Sequence, residues 1–266
     1  MLKNGLILGM TFLQYMLMEC PAATMFGFIM FRNALMCSGI EHFTRHRSYA
    51  NQNYKEPRES YPGEFAVYLI QGSALELVTS VCIVQTGIGH YNHPSWMDIG
   101  YDIITFVPKS LLIEIVFDFF HYWAHRAMHV NATLYKLHRT HHKHHCVRPI
   151  LAFYQNVVDL ILSNSIPFML AVLLSNAVGL TISPLQLVML YNYKIFIEIA
   201  GHSNKTSYPT CSFPQCIWIP RCLGIELCSD DHNLHHSKVQ CNYAKRFSLW
   251  DKVFGTWTAP VYYRTK

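Results

Sequence analysis

Apolar and polar positions fall into long blocks along this chain. Five blocks are apolar enough for a membrane: Leu6–Phe31, Phe65–Ile88, Ile103–Phe120, Val157–Val178 and Ile182–Gly201. About twenty helical residues cross the hydrocarbon core, so these blocks predict transmembrane helices. Only Gly179-Leu180-Thr181 separates the last two, which predicts a hairpin that enters the bilayer and returns. Glu19 and Pro21 interrupt the first block and leave open one broken span, a re-entrant pair or a hairpin. Pro108 and Lys109 lie inside the third and predict a kinked or short span. Leu6–Met18, with Lys3 before it and Pro21-Ala-Ala after it, also has the form of a signal peptide; the apolar continuation to Phe31 fits an uncleaved anchor better. The expected fold is an all-α, polytopic membrane bundle of about four to five transmembrane helices. Residues 1–102 are read as an N-terminal transmembrane region with a cytosolic loop at 51–63, and residues 103–266 as a catalytic region. The two make one structural unit with no internal repeat.

Composition agrees with the pattern. Of 266 residues, 51% are hydrophobic and 14% charged, against roughly a quarter charged in soluble domains. The nine cysteines are odd in number and form no CxxC pair, which argues against a disulfide framework. Cys211, Cys216, Cys222 and Cys228 cluster without a usual zinc spacing and are read as reduced thiols. The net charge of +5 calls for no nucleic acid; Lys and Arg at the cytosolic membrane face account for it. Residues 32–58 hold five Lys or Arg, 126–148 hold five and 205–266 hold eight, whereas 90–102 and 179–181 hold none. By the positive-inside rule, the regions flanking the predicted hairpin face the cytosol. The sequons Asn131-Ala-Thr133 and Asn204-Lys-Thr206 lie on that side and are expected to remain unglycosylated.

Histidine placement adds chemistry to this frame. Twelve of the sixteen histidines lie between His121 and His236. Most fall into three boxes: His121-Tyr-Trp-Ala-His125, His138-Arg-Thr-His141-His142 and His232-Asn-Leu-His235-His236. Residues three and four apart share a helix face, so each box is expected to aim its rings at one point. The predicted hairpin returns the third box to the face that carries the first two. Neutral imidazole binds iron, zinc, copper and nickel. A structural zinc uses four ligands and a catalytic zinc usually three, so the eight box histidines point to two metals. Open, nitrogen-rich sites suit iron that activates dioxygen. Boxes one and three abut apolar spans, so the metals are expected at the bilayer surface, where a lipid chain or sterol would enter from the membrane.

Other polar residues extend the set. His202 follows the last span, four residues after Glu198, and is a ninth ligand candidate. Glu114, Asp118, His121 and His125 form one stripe at 4-3-4 spacing. Asp118 is read either as orienting a liganding histidine or as pairing with Lys109, Lys194 or backbone; Glu198 is a further supporting candidate. His129, one turn beyond His125, either binds metal or supports a ligand from behind. His42, His46, His144 and His145 are read as polar-loop or solvated residues, and His90 and His93 as lying on the opposite face. The run Leu249-Trp250-Asp251 to Thr256 reads as a short amphipathic helix and turn at the membrane surface.

These residues resemble the fatty acid hydroxylase superfamily, which includes sterol desaturases and sterol methyl oxidases. The resemblance rests on Asp118-Phe-Phe-His121-Tyr-Trp-Ala-His125-Arg126 with His129, Leu137-His138-Arg-Thr-His141-His142, and Gly201-His202-Ser203-Asn204. It continues through His232-Asn-Leu-His235-His236, Asn242-Tyr243, Trp250-Asp251 and Phe254-Gly255-Thr256. It covers about 103–257 and implies an endoplasmic reticulum membrane enzyme with two iron ions, active site on the cytosolic face. The implied reaction is an O2-dependent hydroxylation, desaturation or methyl oxidation of a sterol or fatty acyl lipid. Electrons would come from NAD(P)H through a reductase, often by way of cytochrome b5; no b5-like segment is expected in this chain. A membrane acyl-CoA desaturase is the nearest alternative, but the first-box HxxxH with Arg126 and the C-terminal run favour the hydroxylase group. A haem electron carrier would need single histidines on separate spans. A metal transporter would place histidines within the spans, and 157–201 contains none. No HExxH occurs, which excludes a zincin protease by motif.

Overall fold

The apolar blocks fold as helices. The computed structural model describes residues 2–50, 62–85, 95–144, 147–206 and 212–259, and every regular element among them is helical. The predicted block Leu6–Phe31 is two helices, α1 (Leu2–Met16) and α2 (Ala22–Thr44). Pro21 is the N-cap of α2, where its missing N–H breaks no hydrogen bond. The two helices run antiparallel: Met10 clusters with Met36, Cys37 and Ile40, and Arg32 donates to Gln14 at 2.8 Å. Of the three readings left open by Glu19 and Pro21, the structure adopts the hairpin. His42 therefore sits in the last turn of α2 rather than in a loop, and it and His46 are exposed.

α3 (Pro62–Gln85) packs on α2 and on a short 3-10 turn, Pro149–Phe153. Gly72 permits this approach, because a Cβ there would stand 2.8 Å from Phe153 Cδ1. α4 (Trp96–Val130) has 35 residues, a rod of about 52 Å at 1.5 Å per residue. The helix runs through Pro108 without a break, so the third block is neither short nor interrupted. It extends well past Phe120 and thereby carries the first histidine box out of the apolar region.

α5 (Ala132–His138) follows, then a 3-10 turn at His141–Lys143. The next apolar block is one continuous rod: α6 (Val157–Leu160), a π-helical turn at Ile161–Ser165, and α7 (Ile166–Ala177). α8 (Pro184–Gly201) starts from Ser183, whose side chain and that of Gln186 form a reciprocal capping box. The expected tight hairpin is splayed. The link spans 178–183, Gly179 adopts φ +86, and α4 packs against both α7 and α8.

Among the described residues, three helices are long and apolar enough to cross a membrane: Ala22–Thr44, Phe65–Gln85 and Val157–Ala177. α8 is not among them, and its surroundings differ from theirs. Its residues from Pro184 to Lys194 are all buried, between α1, α2 and α4. Protein rather than lipid surrounds it, so it tolerates Gln186, Asn192, Lys194 and Glu198. Beyond α8 come the short helices α9 (Trp218–Cys222), α10 (Ser229–Lys238) and α11 (Leu249–Val253). α10 packs on α8 and α11 on α4, so this layer covers the histidine-bearing end of the bundle.

Candidate metal centre

Five segments deliver the histidines. α4 carries His121, His125 and His129, α5 ends on His138, and the following 3-10 turn presents His141 and His142. His202 is the C-cap of α8, and α10 carries His232, His235 and His236. Their ring nitrogens gather into two groups. His125, His129, His138, His142 and His235 form one; His141, His202, His232 and His236 form the other. Within each group the candidate ligand atoms lie within 4.8 Å of one another.

The boxes do not aim at single points, as their spacing suggested. His138 and His142 join the first group while His141 joins the second; His232 and His236 join the second while His235 joins the first. On α10 the reason is angular. Positions four apart differ by about 40° around a helix, whereas adjacent positions differ by about 100°. The i, i+4 pair therefore keeps one ion's direction and the third ring swings toward the other. Box two has an additional cause, because it spans the end of α5 and a 3-10 turn rather than one helix. His129 lies inside the first group. His121 lies in neither, although its ring centroid is 5.1 Å from that of His125.

Backbone carbonyls set the tautomers. A carbonyl only accepts, so each Nδ1 that meets one carries the proton. His125 Nδ1 donates to Tyr243 O at 2.7 Å, His235 Nδ1 to Cys241 O at 2.7 Å, and His202 Nδ1 to Glu198 O at 2.8 Å. His121 Nδ1 donates to Ser163 O at 2.6 Å. His138 Nδ1 is held by the Asp159 carboxylate at 2.9 Å. Each Nε2 is then left with a lone pair.

These lone pairs face one another. His125 Nε2 lies 3.1 Å from His138 Nε2, and His142 Nε2 lies 3.0 Å from the same atom. His235 Nε2 is 3.2 Å from His142 Nε2. In the second group His232 Nε2 is 3.2 Å from both His202 Nε2 and His236 Nε2. With Nδ1 protonated on both rings, the His125–His138 contact has no proton to share and repels unless a cation lies between. Burial, reinforced by the neighbouring histidines, pushes His129 down to about 2 and His142 further below the usual range. Burial likewise lowers His235 to about 3. Neutral, converging imidazoles of this kind fit divalent cations.

Carboxylates anchor this arrangement from behind. Asp159 was not legible as a supporting residue, although an acid inside an apolar block is a signal in itself. Asp118 accepts from the backbone N–H groups of Lys245, Arg246 and Phe247 at 2.7, 2.9 and 3.0 Å. Asp251 accepts from Tyr243 N and Ala244 N, both at 2.8 Å. The two acids thus fix the segment whose Tyr243 carbonyl orients His125. The 249–256 run is accordingly built into the site, with Trp250 Nε1 donating to Ile115 O at 3.0 Å. Glu198 pairs through its side chain with Lys245 and receives His202 through its carbonyl. His144 packs its ring on Tyr154, outside both groups. His90, His93, His145 and Cys211 lie outside the described residues. Among the described residues, Cys216, Cys222 and Cys228 form no disulfide and enter no metal group.

Residues 110–256 match the fatty acid hydroxylase family, and the chain belongs to that family. Curated relatives carry several activities by name. The fatty acid hydroxylase vlmA of a Lecanicillium species is 30% identical over 54% of this chain and 40% of its own length. The methylsterol monooxygenase erg25A of Aspergillus fumigatus is 27% identical over 60% of this chain and 50% of its own. The very-long-chain aldehyde decarbonylase GL1-5 of Oryza sativa subsp. indica is 27% identical over 63% of this chain and 25% of its own. The chain thus spans half or less of these relatives' lengths. No solved structure matches it.

Proposed function

We propose that this protein is a membrane-embedded di-iron oxidoreductase that uses O2 to hydroxylate, desaturate or oxidise a methyl group on a sterol or fatty acyl lipid. The observation that carries this reading is the pair of converging imidazole groups beside an apolar cavity. That cavity, of about 350 Å³, lies between α1, α2 and the end of α8, and His232 is on its wall. Family membership and the names of the relatives support the same chemistry. The nine histidines of the two groups would hold the two ions. His121 would be a tenth, outer ligand, because its Nδ1–H to Ser163 O leaves Nε2 with a lone pair.

Bound iron supplies the activation of dioxygen needed for an unactivated C–H bond. The chain supplies the rest. Carbonyls hold His125, His202 and His235, and Asp159 holds His138, in the metal-accepting tautomer and orientation. The buried rings keep water from the reaction centre. The apolar cavity delivers a lipid chain to the His232 side, and binding there converts a bimolecular encounter into a positioned one. Electrons would come from NAD(P)H through a reductase, with cytochrome b5 as carrier. The proposed location is the endoplasmic reticulum membrane, with the histidine layer on the cytosolic face. Excess Lys and Arg on that side support this orientation.

Metal analysis combined with lipidomics of cells expressing the wild type and His141→Ala tests the proposal. Two irons per wild-type chain, with an oxidised lipid lost in the variant, are expected. Unchanged lipids in both, with fewer than two metals per chain, would overturn it.

A further inference from the structure

The cavity beside His232 is not uniformly apolar. Its walls are Leu6, Leu35, Ile40 and Phe43 on the hairpin side, yet Lys205 lines it as well. Lys205 is 9% exposed. Its ammonium rests over the Tyr49 ring, 3.3 Å from the centroid, and no carboxylate pairs with it among the described residues. The backbone holds it there. Tyr49 and Lys205 form an isolated antiparallel bridge, Ser229 Oγ donates to Lys205 O at 2.7 Å, and Asn204 adopts φ +52 just before it. A buried ammonium needs compensating charge or hydrogen bonds, and a ring face supplies only part of that compensation. An anion arriving with the ligand would supply the rest.

The cavity is open on the hairpin side. Leu6 is 50%, Leu35 42% and Phe43 69% exposed, so a slot between α1 and α2 opens sideways on an apolar surface. Gly39 lies on that wall, and a Cβ built on it would meet nothing within 4 Å. A larger side chain there would project into the cavity without moving the backbone. Gly39 and Tyr49 lie outside 110–256, whereas Lys205 lies within it, in the loop after His202.

We infer that the cavity takes a single-chain lipid with an ionised head group, that Lys205 on Tyr49 anchors the head, and that Gly39 keeps the slot open for the chain. The inference rests on the reading of the protein as lipid-acting, and it selects anionic single-chain lipids over uncharged sterols. Lys205 is a positioning residue and takes no part in bond breaking.

Equilibrium binding to the full chain with its metals in neutral-lipid nanodiscs, without reductant, tests this. The probes are palmitate, hexadecyl phosphate and hexadecanol. At least one of the two anions should bind tenfold or more tightly than hexadecanol, and comparison of the two identifies the head as carboxylate or phosphate. Lys205→Gln should abolish that advantage while hexadecanol affinity stays within twofold; Lys205→Arg should restore it. Gly39→Leu should weaken all three probes at least tenfold at unchanged metal content. Equal affinity of the three probes, an advantage that survives Lys205→Gln, or binding indifferent to Gly39→Leu would overturn the inference. Because no turnover is needed, failure of the oxidation chemistry leaves these outcomes readable, and failure here leaves the metal centre standing.

Discussion

Among the described residues, two buried polar clusters are built on opposite plans. One is the histidine layer. The other sits among the apolar helices, where Arg32, wholly buried, pairs with Glu76 at 2.5 Å. Arg32 also donates to Gln14 at 2.8 Å and to Asn33 at 2.8 Å, and Asn192 donates to Gln14 at 2.9 Å. Donors there meet acceptors, and the cluster ties α1, α2, α3 and α8 together without outside help. In the histidine layer, by contrast, acceptors meet acceptors. A polar cluster that satisfies itself is architecture; one that places lone pair against lone pair is a site waiting for a cation.

Four experiments sharpen that contrast, from the largest expected effect to the smallest. His142→Ala removes a ring from the centre of the first group and should empty that group of metal. Lipid oxidation should fall by about a thousandfold or more, since loss of an essential metal leaves no alternative route. Metal content and product yield check it; full metal with full product would contradict the assignment. Arg32→Met should instead destabilise the fold by about 3–5 kcal/mol, because Glu76 is left as a buried, unpaired charge. Arg32→Met with Glu76→Gln should recover much of this, and the metal content per folded chain should stay at wild-type level in both, as read by unfolding in detergent with metal analysis.

Asp159→Asn keeps the shape at His138 but removes the carboxylate charge. Metal affinity of the first group should fall by about 10–100-fold, measured by competition with a chelator. Acidity provides the mildest probe. His129 and His235 have pKa values lowered to about 2 and about 3 by burial, whereas unfolded histidine titrates near 6.5. Between those limits the unfolded chain binds more protons than the folded one, so stability falls as pH drops below about 6.5. The metal-free protein should lose up to about 1.4 kcal/mol per pH unit for each such histidine, and the loss should be absent above pH 7. The Arg32–Glu76 cluster contributes no histidine to this slope.

Much of the site was legible because helix periodicity is a local property. His125 with His129, His138 with His142 and His232 with His236 are each four apart, and each pair stays within one group. The assignment of His141 and His235 to the opposite group was not legible, because it depends on how α10 and the 3-10 turn are rotated against α4. Asp159 was hidden for a related reason. It lies 21 residues from His138, and only the approach of α6 to α5 joins them. The sequon at Asn204 shows the same limit: its side chain is 1% exposed, so burial alone withholds it from glycosylation, and Asn131, which is exposed, is the useful reporter of sidedness.

The chain's own order of residues determined the class of protein: helices long enough for a bilayer, and imidazoles numerous enough for two metals. Both follow from spacing and composition, which act within a few turns. Tertiary structure decided which ring joins which group, which nitrogen carries the proton, and that protein packs around α8. Those outcomes depend on contacts between segments more than a hundred residues apart, such as Tyr243 O on His125, 118 positions away. No local pattern encodes the angle at which such segments meet; packing sets it.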